Sequence, residues 1–208
     1  MKVAGIILAK DRLYCLPHAI QSLLDYVDQV YVQVDDTSQP DVTHWLANQS
    51  WPEHFGWGAY HFNEDTGFAG AYNAAIEHCQ ADWIIQLDSD ETIQPKYATN
   101  IKSIVHEAHQ TGHDAIESLM LHWLDKERTR HREDVHPHYP TRLYRGEVRY
   151  RWRVHSDLTG YKKPGRVSPE RLTLEHWNMV YRSQDEWGEV NERYDRLLAL
   201  DRADGRQV

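Results

Sequence analysis

The chain opens with a continuous apolar run, Val3 to Leu8, whose length and unbroken hydrophobicity predict a strand buried on both faces. A polar loop, Ala9-Lys10-Asp11-Arg12, follows. Leu16, Ile20, Leu23, Leu24 and Val27 then recur at helical spacing, and Gln29 to Val34 predicts a second strand that runs into Asp35-Asp36-Thr37-Ser38. Strand, helix, strand is a βαβ unit. Its right-handed crossover makes the two strands parallel and puts both loops at one edge of the sheet. Asp41 to Asn48 predicts a helix, Trp51 to Gly58 a loop, and Ala59 to Phe62 a short strand. Six of the nine residues from Gly67 to Ala75 are Gly or Ala, which suits a helix that a ligand or the sheet approaches closely.

Trp83 to Leu87 is a further apolar strand broken only by Gln86, and it ends in Asp88-Ser89-Asp90-Glu91, three carboxylates within four positions. Pro95 starts a helix with Tyr97, Ile101, Ile104, Val105 and Ala108 on its apolar face. Ala115 to Leu121 reads as a strand, and Leu124 to Pro140 as a long polar loop. From Thr141 to Leu158 apolar residues alternate with Arg142, Arg145, Arg149, Arg151 and Arg153; with Gly146 as the turn this predicts a β-hairpin, followed by His155-Ser156-Asp157. Lys162 to Pro169 is a Gly/Pro loop, and Arg171 to Glu175 a last strand leading to His176-Trp177. Ser183-Gln184-Asp185-Glu186 is a capping box for a C-terminal amphipathic helix carrying Trp187, Val190, Tyr194, Leu197 and Leu198.

Composition narrows the possibilities. A length of 208 residues suits one domain, and 40% hydrophobic with 26% charged residues is globular. The net charge of −9 argues against a general nucleic-acid or anionic-membrane binder. The local arginine run from Arg142 to Arg153 reads as a solvated hairpin face or as a grip on anions. It leaves an acidic glycan, a phosphorylated lipid headgroup or a nucleic acid open as a binding partner. Cys15 and Cys79 form neither a disulfide framework nor a CxxC site and read as free thiols. The first apolar run breaks at Lys10, too early for a signal peptide or a membrane span, so the expected location is cytoplasmic.

The candidate chemistry sits at the strand ends. Carboxylates crowded at Asp88, Asp90 and Glu91 repel one another, and the carboxyl ends of strands in an open α/β sheet form the ligand crevice. A hard cation with phosphates explains the cluster, and a solvated acidic turn is the plain alternative. His131, His136 and His138 lack cysteines or a regular element beneath them and do not read as a zinc site.

Four features in order carry a resemblance: Ala9-Lys10-Asp11-Arg12 after the first strand, Val34-Asp35-Asp36 with Ser38, the Asn63 to Asn73 segment, and Asp88-Ser89-Asp90. Together they resemble family 2 of the inverting glycosyltransferases. That resemblance implies the α/β glycosyltransferase A fold, a Rossmann-like, mostly parallel central sheet flanked by helices, here with a small antiparallel hairpin and the C-terminal helix. The whole chain, 1–208, would be one such domain, with a nucleotide-sugar half, 1–121, and an acceptor-side half, 122–208.

The resemblance also implies roles. Asp35 or Asp36 would bind the donor's base or ribose, and Asp88 the ribose or donor sugar, with a share in the metal site. Asp90 would hold Mn²⁺ or Mg²⁺ against the diphosphate, with the late His176 and His155 as further candidate ligands. Lys10, Arg12, Gly67, Asn73, Arg142 and Arg153 fall on the substrate-binding side, although Asn73 also reads as a structural residue. Tyr72 stands where many members carry Arg.

Thr141-Arg142-Leu143-Tyr144-Arg145 and Arg153-Val154-His155 look like the acceptor-side hairpin of members related to lipopolysaccharide-core glucosyltransferases, with Ser156 in place of their Glu. An inverting transfer needs a carboxylate to take the acceptor's proton, and Asp157 is the first choice, Glu91 the second. The implied activity moves a sugar, from a UDP-sugar for preference, to a hydroxyl on a glycan, a lipid-linked or another acceptor. A nucleotidyltransferase and a non-catalytic nucleotide-sugar binder stay open beside it.

Overall fold

The computed structural model describes residues 1–10, 13–37, 40–154, 157–181 and 184–206. In chain order the elements are β1 (Val3–Ala9), α1 (Leu16–Leu24), β2 (Gln29–Asp35), α2 (Pro40–Ala47), β3 (Phe55–Tyr60), α3 (Gly67–Glu77), β4 (Trp83–Asp88) and β5 (Glu91–Ile93). Then follow α4 (Pro95–Ala98), α5 (Ile101–Thr111), β6 (Ala115–Glu117), β7 (Leu119–His122), β8 (Thr141–Arg145), β9 (Arg149–Arg151), β10 (Asp157–Thr159), β11 (Pro164–Arg166), β12 (Thr173–His176), α6 (Asn178–Tyr181) and α7 (Gln184–Ala203).

The central sheet has the order β11-β6-β8-β4-β1-β2-β3. β1 pairs in parallel with both β2 and β4, and β2 in parallel with β3, so the ends of β1, β2 and β4 share one edge. The strands that read as continuously apolar are the central ones, buried on both faces as a parallel sheet requires. One face packs Val3, Ile7, Trp83 and Ile85 against α1 and α5 through Leu16, Ile20, Ile104 and Val105. The other packs Ala4, Ile6 and Ile84 against α3 and β9 through Tyr72, Ala75 and Tyr150. This is the mixed α/β architecture expected from the βαβ pattern and implied by the resemblance. A second sheet, β5-β12-β7, lies beside the end of β4.

Several elements differ from expectation for identifiable reasons. Trp51 to Gly58 is not all loop, because Phe55 to Gly58 belong to edge strand β3. Its glycines make room for Tyr31 of β2: a Cβ on Gly58 would lie 2.4 Å from the Tyr31 hydroxyl. The helix from Pro95 breaks at Thr99 and Asn100, where the Asn100 side chain turns to donate to the Arg171 carbonyl at 2.9 Å. The Ala115–Leu121 strand divides at buried Ser118, β6 joining the central sheet and β7 the second one.

The expected hairpin over Thr141 to Leu158 does not form as such. β8 pairs antiparallel with β4 and β6, while β9 pairs with β10. The chain does turn at Gly146, but against the 81–82 loop: Gly146 N–H donates to the Asp82 carbonyl at 3.0 Å, and a Cβ there would meet the Ala81 carbonyl at 2.5 Å. β9 therefore leaves the central sheet and packs on α3. β8 and β11, both after residue 121, join the central sheet.

Candidate active site

A cleft of about 780 Å³ opens at the carboxyl ends of β1, β2 and β4, in the range of a small-molecule site. Lys10, Asp35, Asp88, Asp90, Arg142 and His176 all line it. The parallel pairing of β1 with β2 and β4 accounts for most of this convergence, since each strand delivers its polar end to the same edge. Asp90 and His176 meet for a different reason. β5 pairs antiparallel with β12 with Glu91 opposite His176, and Trp177 N–H donates to the Asp90 carbonyl at 2.9 Å. This register sets His176 Nε2 3.6 Å from Asp90 Oδ1.

Asp88 is the centre of a buried polar network. Its Oδ1 accepts from the Tyr72 hydroxyl at 2.5 Å and from Gln86 Nε2 at 3.0 Å, and its Oδ2 from Arg142 at 3.3 Å. Arg142 also donates to Gln86 Oε1 at 2.6 Å and contacts Glu91, while the Tyr150 hydroxyl donates to the same Gln86 oxygen at 2.9 Å. Burial pushes the Tyr72 phenol well above its ordinary range, and adjacent Asp88 adds to this, so Tyr72 remains a neutral donor. Burial opposes the charge on Arg142, but Glu91 and Asp88 outweigh it and hold the guanidinium protonated. Gln86, the one polar residue in the apolar strand, was the sequence signal for this network.

At the other end of the cleft Asp35 accepts from the Thr37 backbone N–H at 3.0 Å and the Thr37 hydroxyl at 2.6 Å. It also pairs with Lys10 at 3.6 Å and with Arg193 of α7 at 3.3 Å. Burial alone would raise the Asp35 carboxyl, but the Thr37 hydrogen bonds and the two cations outweigh it and lower its pKa. Asp36 instead faces His61 at 2.9 Å and does not line the cleft, so of the two acidic residues Asp35 is the one in position. Arg193 lies over Phe62, 3.6 Å from the ring centroid, and Trp187, Val190 and Tyr194 complete a wall supplied by α7. The amphipathic pattern of α7 had been read without any role at the site.

Other expected site residues stand elsewhere. Glu91 is 1% exposed, pairs with Arg142 and accepts from the Asp88 backbone N–H at 3.1 Å; it lies behind the cleft and is not placed to act as a base. Burial pushes its carboxyl up, against the pull of Arg142. Arg153 is turned from the cleft: it pairs with Asp201 at 3.1 Å and Asp204 at 2.7 Å and donates to the Glu64 carbonyl. Gly67, at φ +57°, is approached by protein backbone, since a Cβ there would fall 2.3 Å from Arg153 Cα. Asn73 clamps the Tyr150 backbone, donating to its carbonyl at 3.0 Å and accepting from its N–H at 2.8 Å. These three are structural, and Asn73 takes the second of its two readings. Arg12 and His155 lie outside the described residues, as does the Asp157 side chain, whose backbone pairs with Arg151.

Both Asp88 oxygens accept from protein donors, and Asp90 and His176 line the cleft together. Two ligands of one ion at about 2.1 Å lie roughly 3.0–3.6 Å apart for angles of about 90–120°, so the observed spacing fits a shared cation. Among the described residues no cluster of three or more His, Cys, Asp or Glu has ligating geometry. A two-ligand site suits Mg²⁺ or Mn²⁺, which complete their shells with water and phosphate oxygens.

Two further imidazoles extend from this pair. His176 Nδ1 lies 2.8 Å from His122 Nδ1, and His122 Nε2 lies 2.8 Å from His138 Nδ1. His122 is driven down to about 3 by burial first and then by its neighbours His176, His138, Arg132 and Arg142, so it is neutral. His131 and His136 meet each other edge to face, with ring centroids 4.9 Å apart.

Solved structures of S. aureus TarS share the architecture. TarS 1–349 with UDP has a TM-score of 0.58 at 13% identity, covering 93% of this chain and 64% of that one. TarS 1–349 with UDP-GlcNAc has a TM-score of 0.57 at 13% identity, covering 93% and 65%. This chain thus spans less than two thirds of the length of either neighbour. A sequence comparison with curated proteins finds no match. Residues 6–172, most of the chain and including Asp35, Asp88, Asp90 and Arg142, match the family described as Glycosyl transferase family 2, and the chain belongs to that family.

Proposed function

We propose that the protein transfers a sugar from a nucleotide-sugar donor to a hydroxyl acceptor with inversion, assisted by Mn²⁺ or Mg²⁺ at Asp90 and His176. The observation that carries this reading is the convergence on one cleft of Asp35, Asp88 and His176, from the ends of three strands, and of Asp90, from the turn after β4. The family membership and the UDP and UDP-GlcNAc complexes of the structural neighbours support a UDP-sugar as donor.

Asp35 accepts hydrogen bonds from a ribose hydroxyl or a base N–H, exchanging them for its contacts with Lys10 and Arg193. Those two cations are then available to the diphosphate. Asp88, held rigid by Tyr72, Gln86 and Arg142, accepts from a donor-sugar or ribose hydroxyl. When bound, the cation offsets the negative charge that builds on the nucleoside diphosphate as the glycosidic bond breaks.

A carboxylate on the acceptor side takes the acceptor hydroxyl's proton as that oxygen attacks the anomeric carbon in line. Asp157 is assigned this role. Glu189 of α7 also lines the cleft and is the control for that assignment. A glycan or lipid-linked alcohol is the acceptor class, with a nucleic acid disfavoured by the charge of −9. Among the described residues no helix is long and apolar enough to cross a membrane.

The test is nucleoside diphosphate release from a panel of nucleotide sugars with Mn²⁺ and simple acceptor alcohols. Asp90→Ala and Asp157→Asn should each lower turnover at least 100-fold, with Glu189→Gln nearly unchanged. Release of pyrophosphate from a sugar phosphate and nucleoside triphosphate would instead indicate a nucleotidyltransferase, and donor binding without turnover a binding protein. Full activity in Asp90→Ala would sink the metal assignment.

A further inference from the structure

We infer that His122 and His138 form an imidazole chain that couples the tautomer of His176 to their own, making His122 a positioning residue for the cation site. This rests on the reading of Asp90 and His176 as ligands. The chain arises from strand register: β12 lies between β5 and β7, so His176 has Glu91 opposite it on one side and His122 on the other. His138 joins through its bridge to Met120, where Met120 N–H donates to the His138 carbonyl at 2.9 Å.

A neutral imidazole has one N–H and one lone pair on its two nitrogens. His122 meets another imidazole nitrogen at 2.8 Å on each side, so it donates through one nitrogen and accepts through the other. Only two arrangements satisfy both contacts. In the first, His176 Nδ1–H donates to His122 Nδ1 and His122 Nε2–H donates to His138 Nδ1, leaving a lone pair on His176 Nε2 beside Asp90. In the second every bond is reversed, and His176 Nε2–H faces the Asp90 carboxylate.

The two arrangements present opposite faces to the cleft. The first offers a carboxylate and an imidazole lone pair, a ligand pair for a cation. The second offers a carboxylate facing an N–H, a pair that satisfies itself. Cation binding selects the first and cation removal restores the second: on binding, His176 Nε2 gives its proton to water, one proton passes from His138 to His122 and one from His122 to His176, and His138 Nε2 takes a proton from water. Histidine ligands are ordinarily oriented by a partner on the other nitrogen, and loss of that partner lowers metal affinity about 10–100-fold. Here the partner is itself a reversible donor and acceptor, and the far end of the chain, His138, also lines the cleft.

The experiment combines two readouts on the full chain at pH 8, above the ordinary imidazole range. Long-range ¹H–¹⁵N spectra of ¹⁵N-histidine protein should show His176 as the Nε2–H tautomer without cation and as Nδ1–H with Mg²⁺, and His122 changing in the opposite sense. Mn²⁺ binding followed by electron paramagnetic resonance should weaken about 10–100-fold in His122→Phe, recover partly in His122→Gln, and be abolished in Asp90→Ala. Should His122→Phe fail to fold, His138→Phe and the wild-type tautomers decide. Wild-type affinity in His122→Phe, with loss in Asp90→Ala, overturns the imidazole chain and leaves the cation site standing. A wild-type protein that binds no Mn²⁺ overturns both.

Discussion

Arg142 joins two carboxylates from either side of the turn between β4 and β5, reaching Asp88 at 3.3 Å and contacting Glu91 directly. It holds the turn that presents Asp90, because Glu91 in turn accepts from the Asp88 backbone N–H. Removing one partner of a buried ion pair strands the other. Arg142→Met is expected to cost about 3–5 kcal/mol in urea denaturation, and Arg142→Met with Glu91→Gln to cost less than the single change. A loss below about 1 kcal/mol would show that the pair is not buried as described.

Tyr72 reaches the same Asp88 carboxylate through its hydroxyl at 2.5 Å. Tyr72→Phe removes one donor but leaves Gln86 and Arg142 on Asp88, so a stability loss of about 1–2 kcal/mol is expected. Donor affinity should fall, because Asp88 loses the bond that fixes its plane. Since burial and Asp88 push the Tyr72 phenol well up, the wild type should show no activity loss at pH 9–10 that Tyr72→Phe lacks. A pH–rate profile of the two proteins checks this.

The parts of the site that were legible in the sequence depend on local pattern and on one topological rule. Apolar patterning identifies β1, β2 and β4, and the handedness of βαβ crossovers then puts Asp35 and Asp88 on one edge. What is not legible depends on pairing between distant segments. Alternating Arg and apolar residues in Thr141 to Leu158 show two strands but not their partners, so the pattern alone reads β8 and β9 as a hairpin. Gly56 and Gly58 resemble turn residues, yet they serve the Tyr31 side chain of a neighbouring strand. His122 is one of 14 histidines, and only the register of β7 with β12 distinguishes it. Arg153, Gly67 and Asn73 carry residue types that suit a ligand site, but protein groups occupy them.

Arg193 links α7 to the cleft through Asp35 and the Phe62 ring. Arg193→Met keeps the apolar stem but removes both interactions, a partly buried ion pair and a cation–π contact, together worth about 1–2 kcal/mol. Amide exchange in the 187–201 segment should rise in this variant. Saturating nucleoside diphosphate should slow it in the wild type, if Asp35 and Arg193 both engage the ligand. Unchanged exchange in Arg193→Met would mean that other contacts of α7, among them its apolar face, Asp201 and the Arg196–Glu64 pair, hold it without Arg193.

Asp201 is the second anchor of α7 and the group with the clearest pH signature. It is 0% exposed and accepts from the Arg153 and Val154 backbone N–H groups, from the Arg153 guanidinium and from Arg206. Burial alone would raise its pKa, but these hydrogen bonds and charges outweigh it and hold the carboxyl below its ordinary 3.8. The unfolded chain therefore takes up the proton first as pH falls, so the stabilisation is complete above about pH 4 and is lost as pH drops through the lower folded value. Asp201→Asn keeps the shape and removes the charge from two arginines. It should lower the melting temperature at pH 7, by an amount corresponding to about 2–4 kcal/mol, and should flatten the acid limb of the wild-type stability curve below pH 4. If the two proteins lose stability in parallel below pH 4, the acid sensitivity belongs to other carboxylates and the anchoring of α7 by Asp201 is not electrostatic.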